Sequence, residues 1–244
     1  MITRDSAVPL YIQIKEYIRQ NIVSGVYSEN TRIPSERQLS EQFEVSRLTV
    51  TKAITELVQE GLLHTRVGKG TFVTPGKINQ ELRTLTSFTE EMLRRGQSAA
   101  SRVLYASVDP AEEEIARALS LVPGAKVMVL KRLRLSDEQA IALEITHIID
   151  AVCPNILVNH DFSCESLYRV LRDEYGLHMT HAQQTIEARR ATATELELLK
   201  IDSHTPILSM TRITFNEQDA PFEYTRSAYR GDRYKFNAVL HSVG

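Results

Sequence analysis

IPSERQLSEQFEVSRLTVTKAITELVQEGLL, residues 33–63, contains two helix-start signals separated by a short break. Ser35, followed three residues later by Gln38, matches the pattern of a capping box, which predicts a short helix. Ser46 is a second N-cap candidate, and the apolar residues after it recur on one helical face until Gly61. The stretch therefore predicts two consecutive helices joined by a tight turn.

Two further elements flank this pair of helices. Between Pro9 and Ser24 the apolar residues recur every four positions, which is typical of an amphipathic helix that begins at a proline. Downstream, LLHTRVGKGTFV, residues 62–73, places two short runs of strand-forming residues around a glycine-rich basic tip at residues 67–70. Three helices followed by such a hairpin predict a winged helix-turn-helix, in which the hairpin is the wing.

Polar and basic side chains cluster at the start of the third predicted helix, opposite its apolar face. Arginine can bond guanine bidentately, hydroxyl groups reach phosphate or base edges, and the positive end of a helix attracts phosphate oxygens. The acids Glu56 and Glu60 lie at the far end. We therefore predict that this helix enters the DNA major groove by its first turns. The predicted contacts of this helix are Ser46, Arg47, Thr49, Thr51 and Lys52. Arg37 and Lys69 are predicted to contact the DNA phosphate backbone on either side of it.

The composition narrows the class of protein. With 244 residues, of which 42% are hydrophobic and 25% charged, the chain can form two globular domains. Its net charge of −2 does not by itself indicate nucleic acid. No apolar run approaches the roughly 18 residues that span a bilayer, so we expect a soluble cytoplasmic protein. Two cysteines exclude a four-cysteine zinc site and the seven histidines show no zinc-ligand spacing, so neither metal nor cofactor is predicted.

A change of pattern after residue 74 indicates a second domain. Residues 75–81, PGKINQE, are polar and begin with Pro75 and a glycine, which predicts a linker. Residues 1–74 then form the DNA-binding domain, and residues 82–244 alternate strand and helix patterns joined by short polar turns. Such turns imply antiparallel pairing, so the second domain is predicted to be α+β.

Charged side chains on strands of the second domain predict a binding pocket. Alternate residues of a strand face the same way, so Arg132 and Arg134 share one face. Arginines on otherwise apolar strands, near a carboxylate and hydroxyl groups, suit a small polar anion. The partner groups are Glu223, Thr225, Ser227 and Tyr229 on another strand, and Ser87, Thr89, Ser163 and Ser166 near predicted helix starts.

The position of Glu144 relative to these arginines depends on the register of one hairpin. A three-residue loop at residues 137–139 places Glu144 opposite Arg132, whereas a two-residue loop at residues 137–138 places it opposite Lys131. The sequence leaves both registers open.

The motifs resemble a known family. PLYIQIKEYIRQNIVSGVY, residues 9–27, together with the two helices and the hairpin above, closely resembles the DNA-binding domain of GntR-family transcription regulators. Residues 82–240, which carry APFEYTRSAYRGDRYKFN near their end, resemble the effector-binding UTRA domain of the HutC subfamily, whose fold is similar to chorismate lyase. The resemblance implies an N-terminal winged helix-turn-helix joined to a chorismate-lyase-like α+β domain with a mainly antiparallel sheet.

The same resemblance implies roles for individual residues. Arg37, Arg47 and Thr49, with the wing glycines Gly68 and Gly70, take the DNA-contacting places of the family. Members of the subfamily respond to phosphorylated sugars, amino-acid catabolites or fatty acids, and we favour a phosphorylated sugar or sugar derivative. The implied effector pocket consists of Ser87, Phe88, Thr89, Arg132, Arg134, Glu144, Ser166, Tyr168, Glu223 and Tyr229.

Two positions depart from the family pattern. Many relatives carry Gly or Asn in the turn where this chain has Glu44, and a left-handed glutamate there costs about 1–2 kcal/mol. Relatives also usually have Arg at the position of Thr51, so we expect that interaction with DNA to be lost or to pass to Lys52.

Together these features predict a ligand-responsive transcription regulator, a repressor that a small anionic metabolite releases from its double-stranded DNA operator. A homodimer is expected because one such domain buries only about 600–1,000 Å² on DNA, and two half-sites multiply the affinity. One alternative is a chorismate-lyase-like enzyme domain carried on a DNA-binding module, although no nucleophile-base pair is recognisable. Another is an architectural protein whose second domain only dimerises.

Overall fold

The structure is a computed structural model in which the chain separates into two compact units. Val67, expected at the tip of the wing, and Pro75, expected to open the linker, lie outside the described residues. Among the helices described, none has the length and apolar character needed to cross a bilayer. The described part of the chain consists of residue 3 and residues 6–66, 68–74 and 76–240.

The first unit, residues 1–77, contains the three predicted helices and the hairpin. Its elements are α1 (Leu10–Val23), α2 (Glu36–Phe43), α3 (Arg47–Gln59), β1 (Leu63–Arg66) and β2 (Gly70–Val73). The apolar stripes of the helices meet in one core, whose buried members include Ile14, Ile18, Leu39, Val50 and Leu57. This arrangement confirms the predicted winged helix-turn-helix, in which α3 buries one face and exposes the other.

The starts of α2 and α3 follow the predicted capping signals. Ser35 and Gln38 form a capping box, in which the Gln38 backbone N–H donates to the Ser35 hydroxyl at 3.2 Å. Ser46 caps α3 by accepting from the Thr49 backbone N–H, also at 3.2 Å. Between the helices the chain turns through Glu44, whose φ of 51° and ψ of 44° are left-handed. Glu44 therefore has a backbone conformation that glycine adopts more readily than a residue with a Cβ.

The second unit, residues 78–244, is built around a six-stranded antiparallel sheet. The strands of this unit are β3 (Ile78–Glu81), β4 (Ala99–Pro110), β5 (Lys126–Ser136), β6 (Gln139–Ile149), β7 (His181–Arg190), β8 (Pro206–Phe215), β9 (Pro221–Arg230) and β10 (Tyr234–Asn237). The order in the six-stranded sheet is β4-β5-β6-β9-β8-β7, and β3 and β10 form a separate pair. Its helices are α4 (Phe88–Arg94), α5 (Glu113–Ala118), α6 (Ile156–Asn159), α7 (Leu167–Tyr175) and α8 (Ala193–Leu199). The sheet confirms the predicted α+β domain with mainly antiparallel strands.

The two faces of β5 have different neighbours. α7 packs against Met128 and Leu130 in one apolar cluster. Leu133 packs against Leu199 of α8 in a different cluster. Because side chains alternate along a strand, Arg132 lies on the same face as Leu130 and therefore on the α7 side of the sheet.

The predicted linker at residues 75–81 is too long. Ile78–Glu81 forms β3, which pairs in parallel with β10 and places Ile78 opposite Tyr234. Ile78 and Gln80 are buried on the same side of this strand. A polar segment folds as a strand here because its backbone pairs with a distant part of the chain, which the local composition does not reveal.

Candidate functional site

At the start of α3, the side chains predicted to contact DNA differ in whether they already have a partner inside the protein. Arg47 is exposed, and no hydrogen bond or ion pair from the described residues engages its guanidinium. The hydroxyl groups of Ser46 and Thr49 lie 2.8 Å apart and bond each other. The Thr51 hydroxyl lies 2.8 Å from a carboxylate oxygen of Glu36 in α2. Arg47 is therefore available to bond DNA, whereas the hydroxyl groups beside it already have partners.

Two of the predicted cationic contacts also have partners inside the unit. Lys52 Nζ lies 3.8 Å from the centroid of the Tyr11 ring, a distance at which a cation–π attraction forms. Arg37 Nε donates to Glu41 at 2.8 Å, yet the Arg37 side chain is 72% exposed. Such surface contacts are weak enough to be exchanged for a phosphate. The Lys52 ammonium is therefore engaged with Tyr11 of α1 in this structure.

The acidic residues at the far end of α3, Glu56 and the C-cap Glu60, are paired with α1. Lys15 lies 2.6 Å from Glu56, and Arg19 lies 2.6 Å from Glu60. The first turn of α3 contains no acidic residue. No acidic side chain in the first turn of α3 therefore offsets the positive N-terminal end of the helix dipole.

The wing tip combines two left-handed glycines with exposed positive charge. Gly68 and Gly70 have φ values of 72° and 112°, and Lys69 between them is exposed. A Cβ on Gly70 would lie 2.5 Å from Arg32 Nε, so glycine at this position leaves room for the Arg32 guanidinium. The packing of Arg32 on Gly70 adds a second cation beside Lys69.

Arg32 and Arg66 are wing cations that sequence reasoning missed. Arg32 pairs with Phe72 through an isolated antiparallel bridge, and the Arg66 guanidinium lies 4.9 Å from the centroid of the Phe72 ring. Both side chains are exposed. Arg66 was visible as a basic residue of the hairpin, whereas Arg32 reaches the wing through a pairing between segments about 40 residues apart.

Glu44→Gly is expected to raise the free energy of unfolding of the first unit by about 1 kcal/mol. A left-handed residue with a Cβ costs about 1–2 kcal/mol, and the greater freedom of glycine in the unfolded chain offsets part of the gain. Urea unfolding monitored by circular dichroism measures the change. Glu41→Gly, the same substitution inside α2, should instead lower stability by about 1 kcal/mol. A loss of stability in both variants would show that Glu44 is not strained.

All ten side chains predicted for the effector pocket line one cavity of the second unit. They come from the start of α4, from β5, β6 and β9, and from the start of α7. The cavity has a volume of about 30 Å³. Its lining is completed by Gln80, Thr86, Thr146, Leu167, Met210, Arg212 and Thr225.

Two buried arginines dominate this cavity. Arg132 and Arg134 are 4% and 3% exposed. Arg132 Nη2 lies 2.5 Å from Glu144 Oε1, and Arg134 Nη1 lies 4.0 Å from the same oxygen. Arg134 also donates to the Thr89 hydroxyl at 3.2 Å and stacks over the Phe88 ring. The Nε and Nη1 atoms of both arginines have no hydrogen-bond partner among the described residues, so four buried nitrogen donors can serve an anion.

Burial and neighbouring charges shift the pKa values of Arg134 and Glu144. Burial and the positive charge of Arg132 lower the pKa of Arg134 to about 10, which leaves Arg134 protonated at neutral pH. Burial tends to raise the pKa of Glu144, but the two arginines outweigh burial and the net shift is downward. Glu144 therefore stays a carboxylate, and one negative charge faces two positive charges.

The hairpin that positions Glu144 combines features of both predicted registers. Its turn contains two residues, 137–138, which alone would place Glu144 opposite Lys131. A β-bulge at Ile141 inserts one extra residue into β6 and moves Glu144 opposite Arg132. Glu144 thus faces Arg132 across a two-residue turn, an arrangement that neither of the two alternatives contained.

A second carboxylate is buried in the same cavity. Glu223 is 1% exposed and accepts hydrogen bonds from the hydroxyl groups of Tyr168 at 2.7 Å and Thr214 at 2.5 Å. Burial raises the pKa of Glu223, and these two hydrogen bonds oppose the shift only in part. Arg212, in the same lining, donates to Gln184 through two nitrogen atoms. The lining therefore holds three arginines and two glutamates, an excess of positive charge.

Hydroxyl groups near the helix starts act as N-caps. Ser87 accepts from the Glu90 backbone N–H at 3.1 Å, and Ser166 accepts from the Arg169 backbone N–H at 3.4 Å. Ser87 and Ser166 also line the cavity. Ser163, which was expected to join them, does not line the cavity.

Arg212 is a charged pocket residue that sequence reasoning missed. It follows Met210 by two positions on β8, and both side chains line the cavity. The alternation that identified Arg132 and Arg134 applies equally to Arg212. The sequence does not reveal that β8 lies beside β9, because strand order depends on pairing between distant segments.

Comparison with known proteins identifies the family. The profile of the UTRA domain matches residues 94–235, more than half of the chain. The profile described as bacterial regulatory proteins, gntR family, matches residues 10–73. The chain belongs to the GntR family. With its UTRA domain, this GntR-family protein is a DNA-binding transcriptional regulator of the HutC type and not an enzyme.

Relatives of this GntR-family regulator include named repressors. HTH-type transcriptional repressor NagR from Bacillus subtilis (strain 168) is 35% identical over 235 residues, which cover 96% of each chain. HTH-type transcriptional repressor PhnF from Mycolicibacterium smegmatis is 37% identical over 210 residues, 86% of this chain and 84% of PhnF. The crystal structure of PhnF from Mycobacterium smegmatis has a TM-score of 0.68 at 32% identity and covers 94% of this chain and 100% of that chain.

Proposed function

We propose that this GntR-family regulator is a repressor, which a small anionic metabolite such as a phosphorylated sugar releases from its operator. The observation that carries the proposal is the buried pair Arg132 and Arg134. Four of their nitrogen atoms have no partner among the described residues, and both side chains face a single carboxylate, that of Glu144. Buried donors without acceptors are costly, and a phosphate or carboxylate group supplies the acceptors that they lack.

The names of the relatives support a repressor connected with sugar derivatives. NagR and PhnF are both named as repressors. A third relative, from Escherichia coli (strain K12), is 31% identical over 231 residues and is named the mannosyl-D-glycerate transport/metabolism system repressor MngR. That name joins a sugar to an acid, which agrees with the positive charge of the pocket described above. A sugar derivative with an anionic group is therefore the class of effector that we propose.

On the DNA side, we propose that α3 enters the major groove and that Arg47 reads a base edge. Ser46, Thr49, Thr51 and Lys52 complete the contacts of this helix. Arg37, Lys69 and the wing glycines Gly68 and Gly70 contact the phosphate backbone. A single domain of this kind buries about 600–1,000 Å² on DNA, so the regulator binds its operator as a homodimer with two half-sites.

Effector binding requires the pocket to open. A cavity of about 30 Å³ is far smaller than the roughly 300 Å³ or more of typical ligand pockets. Opening changes the position of lining residues such as Gln80, which belongs to β3, and β3 directly follows residues 76–77 in the sequence. A coupling of about 1–3 kcal/mol, about 5- to 150-fold in operator affinity, is sufficient for release.

A thermal-shift screen of sugar phosphates and related acids, followed by operator titrations, tests the proposal. A ligand present at about 100 times its Kd should stabilise the protein by about 2.7 kcal/mol, and the same ligand should weaken operator binding. A ligand that stabilises the protein but leaves operator affinity unchanged would contradict the proposed release. The absence of any ligand in a broad metabolite screen would favour a second domain that only dimerises.

Arg47→Ala and Lys69→Ala are expected to weaken DNA binding in different ways. Arg47→Ala should cost about 1–3 kcal/mol on the operator and relax the preference for one base, because its guanidinium reads a base edge. Lys69→Ala should weaken all sequences alike and lower the salt slope by about one, because its ammonium neutralises a phosphate. Fluorescence anisotropy with operator and scrambled duplexes at several salt concentrations separates the two effects. Equal loss of discrimination in both variants would contradict these roles.

A further inference from the structure

Leu48 is an apolar side chain that α3 leaves in solvent. It is the second residue of the helix, and it is 81% exposed. Isolated apolar residues are common on protein surfaces, so exposure alone assigns no role. What distinguishes Leu48 is its position on the helix that is expected to read DNA.

Helical geometry places Leu48 at the centre of the outward face of α3. With about 3.6 residues per turn, Leu48 points roughly opposite to the mean direction of the buried side chains. Lys52 and Thr55, four and seven residues further on, lie on the same outward face and are exposed. The buried side chains of α3 are Val50, Ala53, Ile54 and Leu57.

Four polar side chains near Leu48, those of Ser46, Thr49, Thr51 and Lys52, have partners within the protein. Ser46 and Thr49 bond each other, and the Thr51 hydroxyl bonds a carboxylate of α2. Lys52 lies over the ring of a tyrosine in α1. Leu48 can therefore contact a base without breaking an interaction inside the protein, which these polar side chains cannot.

We infer that Leu48 is a specificity-determining residue, which packs against the 5-methyl group of a thymine next to the base read by Arg47. The inference rests on the proposed entry of α3 into the major groove. In that groove thymine presents a methyl group, which is the base feature that an aliphatic side chain recognises. Burial of one thymine methyl group raises the affinity for DNA about fourfold.

Replacement of thymine by deoxyuridine tests this contact, because it removes the methyl group and leaves base pairing intact. A preferred site is first selected from a random duplex library with the full-length wild-type protein, and each thymine is then replaced in turn. The wild type should lose about fourfold in affinity per half-site at one position. Leu48→Ala should bind the thymine and deoxyuridine duplexes equally. This variant should fold, because the side chain is exposed and alanine favours helices.

Val23→Ala is the matched control, because Val23 is also 81% exposed and ends α1. It should keep the wild-type loss at the deoxyuridine position. Equal wild-type affinity for every deoxyuridine duplex, or the same loss in Leu48→Ala as in the wild type, would overturn the inference. Arg47→Ala separates the inference from the proposed function. Two results would show that α3 does not read DNA: an Arg47→Ala variant that keeps the full base preference, or a selection that enriches no sequence. Either result would overturn the proposed DNA reading by α3 and the inference about Leu48 together.

Discussion

Arg132→Ala is expected to abolish the influence of the effector on operator binding while leaving unliganded operator affinity unchanged. Arg132 is buried in the pocket of the second unit, whereas the proposed DNA contacts belong to the first unit. The substitution removes two of the four nitrogen donors described above and the closest cation to Glu144. A response of about 5- to 150-fold in operator affinity should therefore disappear. Anisotropy titrations of labelled operator, with and without the effector found in the screen, measure this loss.

Lys131→Ala is the matched control for this experiment. Lys131 precedes Arg132 on β5 and faces the opposite side of the sheet, so its removal should leave the response intact. Arg132→Lys keeps the charge but loses the planar fork that binds an anion bidentately, and it should respond weakly. A normal effector response in Arg132→Ala would remove Arg132 from the regulatory pocket.

Glu144→Ala is expected to lower the free energy of unfolding of the second unit by about 3–5 kcal/mol. Glu144 is the carboxylate that both buried arginines face, and removing one partner of a buried ion pair leaves uncompensated charge in the protein interior. Urea unfolding of the full-length protein measures the loss. Inorganic phosphate should restore part of it, because an anion in the cavity again pairs the two arginines.

Glu187→Ala provides the comparison, because Glu187 is an exposed glutamate on the edge strand β7. Its removal should change stability by less than about 0.5 kcal/mol, with no recovery in phosphate. If Glu144→Ala were as stable as Glu187→Ala, the arginine pair would not depend on Glu144 for charge balance. An absence of rescue by phosphate would argue against anion binding at this cavity.

Short-range signals predicted the first unit because its helices depend on neighbouring residues. Ser35, Ser46 and Gly61 mark helix boundaries through backbone capping and left-handed conformation, which a sequence displays directly. The same local logic placed Arg132 and Arg134 on one strand face, where the structure shows them in one cavity.

Long-range pairing explains what the sequence did not reveal in the second unit. The bulge at Ile141 fixes the partner of Glu144, yet no turn residue marks it. β3 forms because Ile78 lies opposite Tyr234, which is more than 150 residues away. Arg212 enters the pocket because β8 lies beside β9. In each case the backbone partner is distant, and composition near the residue carries no information about it.

In the first unit, the sequence did not reveal which partners individual side chains have inside the protein. Thr51 and Lys52 were predicted as DNA contacts from their place on α3. The structure shows the Thr51 hydroxyl bonded to Glu36 and the Lys52 ammonium over Tyr11. Helical periodicity specifies the direction of a side chain, but a salt bridge, hydrogen bond or ring contact depends on the neighbouring helix as well.

Reciprocal linkage between effector and operator tests the central claim most directly. Calorimetric titration of the wild-type protein with the effector found in the screen gives its Kd, first alone and then with saturating operator duplex. If the anion pocket controls DNA binding, operator should weaken effector binding by the factor, about 5- to 150-fold, by which effector weakens operator binding. An effector Kd that is unchanged by saturating operator would contradict the claim.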